Sequence, residues 1–207
     1  MFSKQLGIHS GRRLSLLSLV LWSQLAPAVD RIPLGPVVMF NTTCARCHEG
    51  ECSQRMSFEL PEGAADSHIR RYGGELSESA VRQLAGLLRH MKEDCGFYPF
   101  PHALVRDRVW DSDRLDTLRS PSGQAYFLPL GFLQPGPYRL LFEGIDDTCG
   151  LTVEVIDSDF DFVDHEGLSG EDGVQGMGLV IDRASAYFLR LSAQRPLSIR
   201  RLEILSD

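Results

Sequence analysis

Long apolar runs are almost missing from this sequence. The one candidate, Leu14 to Leu25, covers about 12 residues, short of the roughly 20 that a membrane-crossing helix needs. Positive charge is also in deficit: 21 Lys and Arg stand against 28 Asp and Glu, a formal charge of −7. That argues against nucleic acid as a partner. No internal repeat or low-complexity tract occurs, and no Ser-His-Asp set, paired catalytic carboxylates or phosphate-cradling glycine loop stands out.

The short run still has a reading. Lys4, Arg12 and Arg13 precede it and Ala26-Pro27-Ala28 closes it, the pattern of a cleavable secretion signal over residues 1–28, with an uncleaved anchor as the alternative. Cleavage would remove three positive charges and take the net charge from −7 to −10. The expected location is the periplasm, with no membrane span after cleavage. Export places the five cysteines, at 44, 47, 52, 95 and 149, where free thiols tend to pair.

Periodicity divides the rest. Pro36, suited to a first helical position, leads into Val37, Val38, Phe40 and Cys44, whose spacing fits one face of a short helix. A second helix is expected over 62–72, with Ala65, His68, Ile69 and Tyr72 in its apolar stripe and Gly73-Gly74 at its end. A third is expected from Ser77 to Cys95. Residues 99–124, charged and Pro-containing, read as a packed linker anchored by Trp110 and Leu115. Beyond it, 125–132, 137–143, 151–157, 178–182, 186–192 and 197–205 are short strand-like segments between turns. The fold class expected is α+β by domains: a small all-α domain over 29–98, the linker 99–124, and an antiparallel β-sandwich or jelly roll over 125–207.

Cys44-Ala45-Arg46-Cys47-His48 is a C-x-x-C-H motif. Its two thiols lie one helical turn apart and can each form a thioether with a haem vinyl group, while the adjacent imidazole reaches the iron. Cys44 and Cys47 are thus the expected tethers of one covalent haem c, and His48 its proximal iron ligand. A redox dithiol and half of a zinc site are the alternatives. The first lacks a βαβ setting; the second would need an irregular set drawn from Cys52, His68, His90 and Cys95.

The run Phe40 to Gly50, with Leu76 to Leu88 as a closing helix, resembles small class I monohaem cytochromes c over residues 33–97. The resemblance implies a motif helix packed on a closing helix, with a methionine between them as the second axial ligand. This chain departs from that: the position shortly before the closing helix, where the family's methionine would fall, holds His68, and no methionine lies between Met56 and Met91. His68 is therefore the first choice as distal ligand, Met56 the second, and an open sixth position the third. Met91 suits core packing, and a Cys52–Cys95 disulfide is conceivable.

In the C-terminal half, Asp157, Asp159 and Asp161 alternate and offer oxygen ligands for calcium, although a solvated acidic edge is the favoured reading. Tyr126, Phe127, Tyr138, Tyr187 and Phe188 suit a core better than a sugar-binding platform. The function expected is single-electron transfer with a protein redox partner, an electron carrier more than a catalyst. The alternatives are a haem enzyme or gas sensor with an open or displaceable sixth ligand, and a binding module for polysaccharide or calcium.

Overall fold

The computed structural model describes residues 31–49, 63–145, 150–168 and 173–206. The secretion-signal reading, Met56, Cys52 and Cys149 lie outside them. From Ile32 onward the chain forms one compact unit.

Among the described residues, eight strands account for most of the regular structure: β1 (Val109–Asp111), β2 (Ala125–Leu133), β3 (Gly136–Glu143), β4 (Leu151–Asp157), β5 (Phe162–Leu168), β6 (Val174–Ile181), β7 (Ser185–Ala193) and β8 (Arg201–Ser206). They make two four-stranded sheets ordered β1-β8-β3-β6 and β2-β7-β4-β5, antiparallel throughout. Chain neighbours lie in opposite sheets except for β4 and β5, which pair with each other in one sheet, the order of a two-sheet jelly roll. Alternation along the strands fills the space between the sheets. Tyr126, Leu128 and Leu130 of β2 meet Leu140 and Phe142 of β3, Val153 and Val155 of β4, and Leu189 and Leu191 of β7.

The other face of the β2-β7-β4-β5 sheet is covered too. β2 is buried at six consecutive positions, and β4 at six of its seven, a pattern that needs cover on both faces. The covering layer begins with α1 (Leu34–Met39), continues through a π-helical turn (Phe40–Cys44) into α2 (Ala45–His48), and is completed by α3 (Asp66–Gly73) and α4 (Glu78–Asp94). Ser77 caps α4, its Oγ accepting from the Ala80 N–H at 3.2 Å, and Val81, Leu84, Leu87, Leu88 and Met91 form its buried stripe. Gly74, at φ +76°, ends α3 in a conformation that favours glycine.

The expected α+β class with a separate small all-α cytochrome domain is therefore wrong. The chain is mostly β, in two antiparallel sheets, and its few helices have no core sealed off from them. Phe160, from the β4–β5 turn, belongs to the helices' apolar cluster, whereas Val38 of α1 belongs to the sandwich cluster. Phe97 packs on Phe127, Phe160 and Phe188 at centroid distances of 5.4, 4.7 and 4.4 Å. The physical reason is size: so small a helical layer buries too little apolar surface by itself and borrows the sheet face. Residues 99–124 contain β1, which pairs with β8, and α5 (Ser112–Thr117), with Trp110 and Leu115 buried.

Candidate functional site

A cleft of about 670 Å³, its open side included, lies between the π turn and α2 on one side and α3 and α4 on the other. Phe40, Ile69, Leu84 and Leu88 form its apolar floor, and Cys44, Cys47, His48, His68, Thr43 and Tyr72 complete the lining. The structure thus brings together four of the five site residues expected from the sequence: Cys44, Cys47, His48 and His68. Met56 lies outside the described residues. Met91 is buried in the helical core, and His90 is held by Asp94 at 2.7 Å and by the Phe97 carbonyl at 3.3 Å.

The local chain explains the lining. Cys44 closes the π turn and Cys47 lies in α2, so i, i+3 spacing puts both sulfurs on one side. Both are free thiols, whereas Cys95 is disulfide-bonded. Burial pushes the Cys44 thiol up to about 11, with Cys47 adding to the rise.

His48 and His68 face each other with ring centroids 6.1 Å apart and planes at 68°. Both imidazoles line the same cleft as the two thiols, so a haem bound there would have His48 and His68 as its candidate iron ligands. His68 does not lie in a buried stripe as expected; it is exposed, with Ile69 carrying the burial of α3. Tyr72, 60% exposed, packs on His68 with ring centroids 4.9 Å apart. Among the described residues no group of three or more His, Cys, Asp or Glu converges as a metal site. The donors in the cleft are thus two thiols and two imidazoles around apolar walls.

Behind the motif lies a buried charge cluster that the sequence reading missed. Arg190 of β7, 1% exposed, donates through Nε to the Asn41 carbonyl at 2.9 Å, through Nη2 to Glu49, and through Nη1 to Glu154 at 3.4 Å. Arg46 completes it, bonding Glu154 at 2.9 Å. Burial raises the Glu49 carboxyl above the ordinary range, against the lowering pull of Arg190. An arginine inside Tyr187-Phe188-Leu189-Arg190-Leu191 was the available signal, since a charge in an apolar strand demands a buried partner.

The acidic run is differently built from expectation. Asp157 ends β4, and Asp159 and Asp161 belong to the turn after it. Asp157 Oδ1 accepts from the Asp159 and Asp161 N–H groups at 2.8 and 3.0 Å, and Arg183 bridges Asp157 and Asp159 at 2.6 and 2.8 Å. Tyr126, Phe127, Tyr138 and Tyr187 are buried.

No known family model matches the chain. No curated protein matches it either. Among solved structures it is similar to the secreted serine protease VesC from Vibrio cholerae, at 15% identity and a TM-score of 0.29, over 42% of this chain and 19% of that one. It is also similar to BtGH115A, a family GH115 4-O-methyl-alpha-glucuronidase with specificity for decorated arabinogalactans, at 9% identity and a TM-score of 0.35, over 70% of this chain and 24% of that one. The chain spans about a fifth to a quarter of the length of these structures.

Proposed function

We propose that the protein is an exported c-type cytochrome whose single haem is attached through Cys44 and Cys47 and held between His48 and His68. It would carry single electrons to or from a periplasmic protein partner. The observation that carries this is the His48–His68 separation of 6.1 Å across a cleft also lined by both motif thiols. The haem iron, when bound, supplies the one-electron ferric–ferrous couple. The chain's part is to tether the group, supply two imidazoles, and surround it with Phe40, Ile69, Leu84 and Leu88, which keep water from its buried side.

Two features count against the rival uses of C-x-x-C. A redox dithiol works through a thiol of lowered pKa, whereas burial raises that of Cys44. A zinc site needs a closed set of four donors around one ion, and among the described residues no three His, Cys, Asp or Glu side chains converge in that way. The resemblance to class I cytochromes then lies in the motif and its chemistry, not in a self-contained all-α scaffold.

A second reading, a gas-binding sensor or haem enzyme, is favoured by the exposure of His68 on an eight-residue helix, since such a ligand is open to displacement. One experiment separates the readings: absorption spectra of the full chain, produced with haem-maturation machinery, with and without carbon monoxide, for the wild type and His68→Ala. Electron transfer predicts a covalent, low-spin haem that binds carbon monoxide only in the variant. A high-spin wild type selects the sensor or enzyme, and a protein without covalent haem sinks the proposal.

A further inference from the structure

The π turn does something specific to the backbone. The Ala45 N–H is directed to the Phe40 carbonyl, one residue further back than an α-helix would send it. The carbonyl of Asn41, the acceptor an α-helix would have used, takes the Nε of Arg190 at 2.9 Å. A residue 149 positions further along the chain thus enters the helix at the turn where it departs from α geometry.

Arg190 grips the same helix at its other end through Glu49, which directly follows His48. On the sheet it is anchored by its cross-strand neighbour Glu154 on β4 and rests over the ring of Phe127 on β2 at 5.8 Å. The planar guanidinium has donors fixed in a fork, so serving Asn41, Glu49 and Glu154 together sets both the distance and the roll of the motif helix on the sheet.

We infer that Arg190 is the positioning residue of the cleft: the β-sandwich, through this one buried side chain, fixes the roll of the helix that carries Cys44, Cys47 and His48. The inference rests on the haem reading of the cleft and assigns the sheet a task within it. In a self-contained helical domain, helix packing alone would set the imidazole. Here the helix is bonded to β7 on both sides of the motif, so the spacing of His48 from His68 is a property of the whole fold.

The test compares the full-length wild type with Arg190→Met, Arg190→Lys and Arg183→Met. Arg183 also pairs with acids on the sandwich, at Asp157 and Asp159, but lies outside the cleft. The first readout needs no haem: amide hydrogen exchange of chains produced without maturation machinery. Arg190→Met should speed exchange over residues 40–49 about tenfold or more while leaving β3 and β8 at wild-type rates, and Arg183→Met should leave 40–49 unchanged. If Arg190→Met does not fold, Arg190→Lys is read the same way, because one ammonium cannot serve the three acceptors in fork geometry.

The second readout is carbon monoxide binding to the haem-loaded, reduced proteins. It should accelerate about tenfold or more in the Arg190 variants and not in Arg183→Met. Wild-type exchange over 40–49 in both Arg190 variants overturns the inference, as does equal acceleration by Arg183→Met, which would mark a general loss of stability. Wild-type carbon monoxide kinetics in loaded Arg190 variants also overturn it. A wild type lacking covalent haem sinks the haem reading and with it what Arg190 is said to position; the exchange readout shows separately whether the arginine lock itself exists.

Discussion

Arg46, one of the two residues between the motif cysteines, bonds at 2.9 Å to Glu154, 108 positions later on the central part of β4. The pair is unequal. Arg46 keeps 46% of its side chain in solvent, whereas only 10% of that of Glu154 is exposed, and Glu154 also neutralises Arg190.

The two members should therefore differ on mutation. Arg46→Ala removes a half-exposed partner and should cost less than about 1 kcal/mol. Glu154→Gln weakens the neutralisation of a buried guanidinium and should cost about 1–3 kcal/mol. Urea unfolding of both variants at one pH checks the order; equal costs would contradict the burial argument.

The two thiols should act as independent tethers. Either Cys44→Ala or Cys47→Ala should leave a haem joined by one thioether and still present on a denaturing gel. The double variant should lose it there completely, even if haem is retained in the native protein through the imidazoles. A haem-stained gel of the three variants beside the wild type reads this directly.

Alkaline stability should depend on Tyr126, whose hydroxyl donates to the Leu197 carbonyl at 3.0 Å and whose pKa burial raises. With the folded value above the unfolded value of about 10, the unfolded chain releases the proton first. The contribution is complete below pH about 10 and is lost as pH rises towards the folded value. Tyr126→Phe should cost about 1 kcal/mol at neutral pH and flatten the decline above pH about 10. Tyr187, shifted in the same direction by burial, keeps part of the decline. Denaturant unfolding at several pH values measures it.

The acidic turn after β4 should prove to be an arginine site. Asp157→Asn keeps an oxygen for the Asp159 and Asp161 N–H groups and loses only the charge facing Arg183, an expected cost of about 1 kcal/mol; Asp157→Ala also strands two backbone donors and should cost about 2–4 kcal/mol. Added calcium should leave the wild-type Tm unchanged. A calcium-dependent rise would reinstate the cation reading.

What the sequence revealed followed the range of the interactions concerned. The 3.6-residue periodicity from Val81 to Met91 reports one helix face, and α4 lies where that pattern placed it, between Ser77 and Cys95. C-x-x-C-H is likewise contiguous, and its three ligand-type side chains line one cleft. The fold class failed because it turned on which surfaces meet. Helix patterning shows that a stripe is buried, not against what. Ile156 and Phe188, apolar on the side of their strands that a two-layer sandwich leaves to water, were the trace of a third layer. β1 and β5 were missed for related reasons: one has three residues, and the other carries Asp164, His165 and Glu166 at an exposed sheet edge. His68 was singled out by its place shortly before the closing helix and by an apparent apolar stripe; its exposure was not legible, since the amphipathic pattern of α3 is satisfied by Ile69.

The aromatic contact of Phe97 with Phe127, Phe160 and Phe188 bears on how this protein could be divided. A segment that ended near residue 98 would carry Phe97 away with it, and the remaining chain would keep the other three rings without that cover. Neither piece could be spliced into an unrelated host as a ready module. Each piece depends on the other for cover, so a substitution at any of these four rings disturbs the packing of the helical layer and of the sheet together.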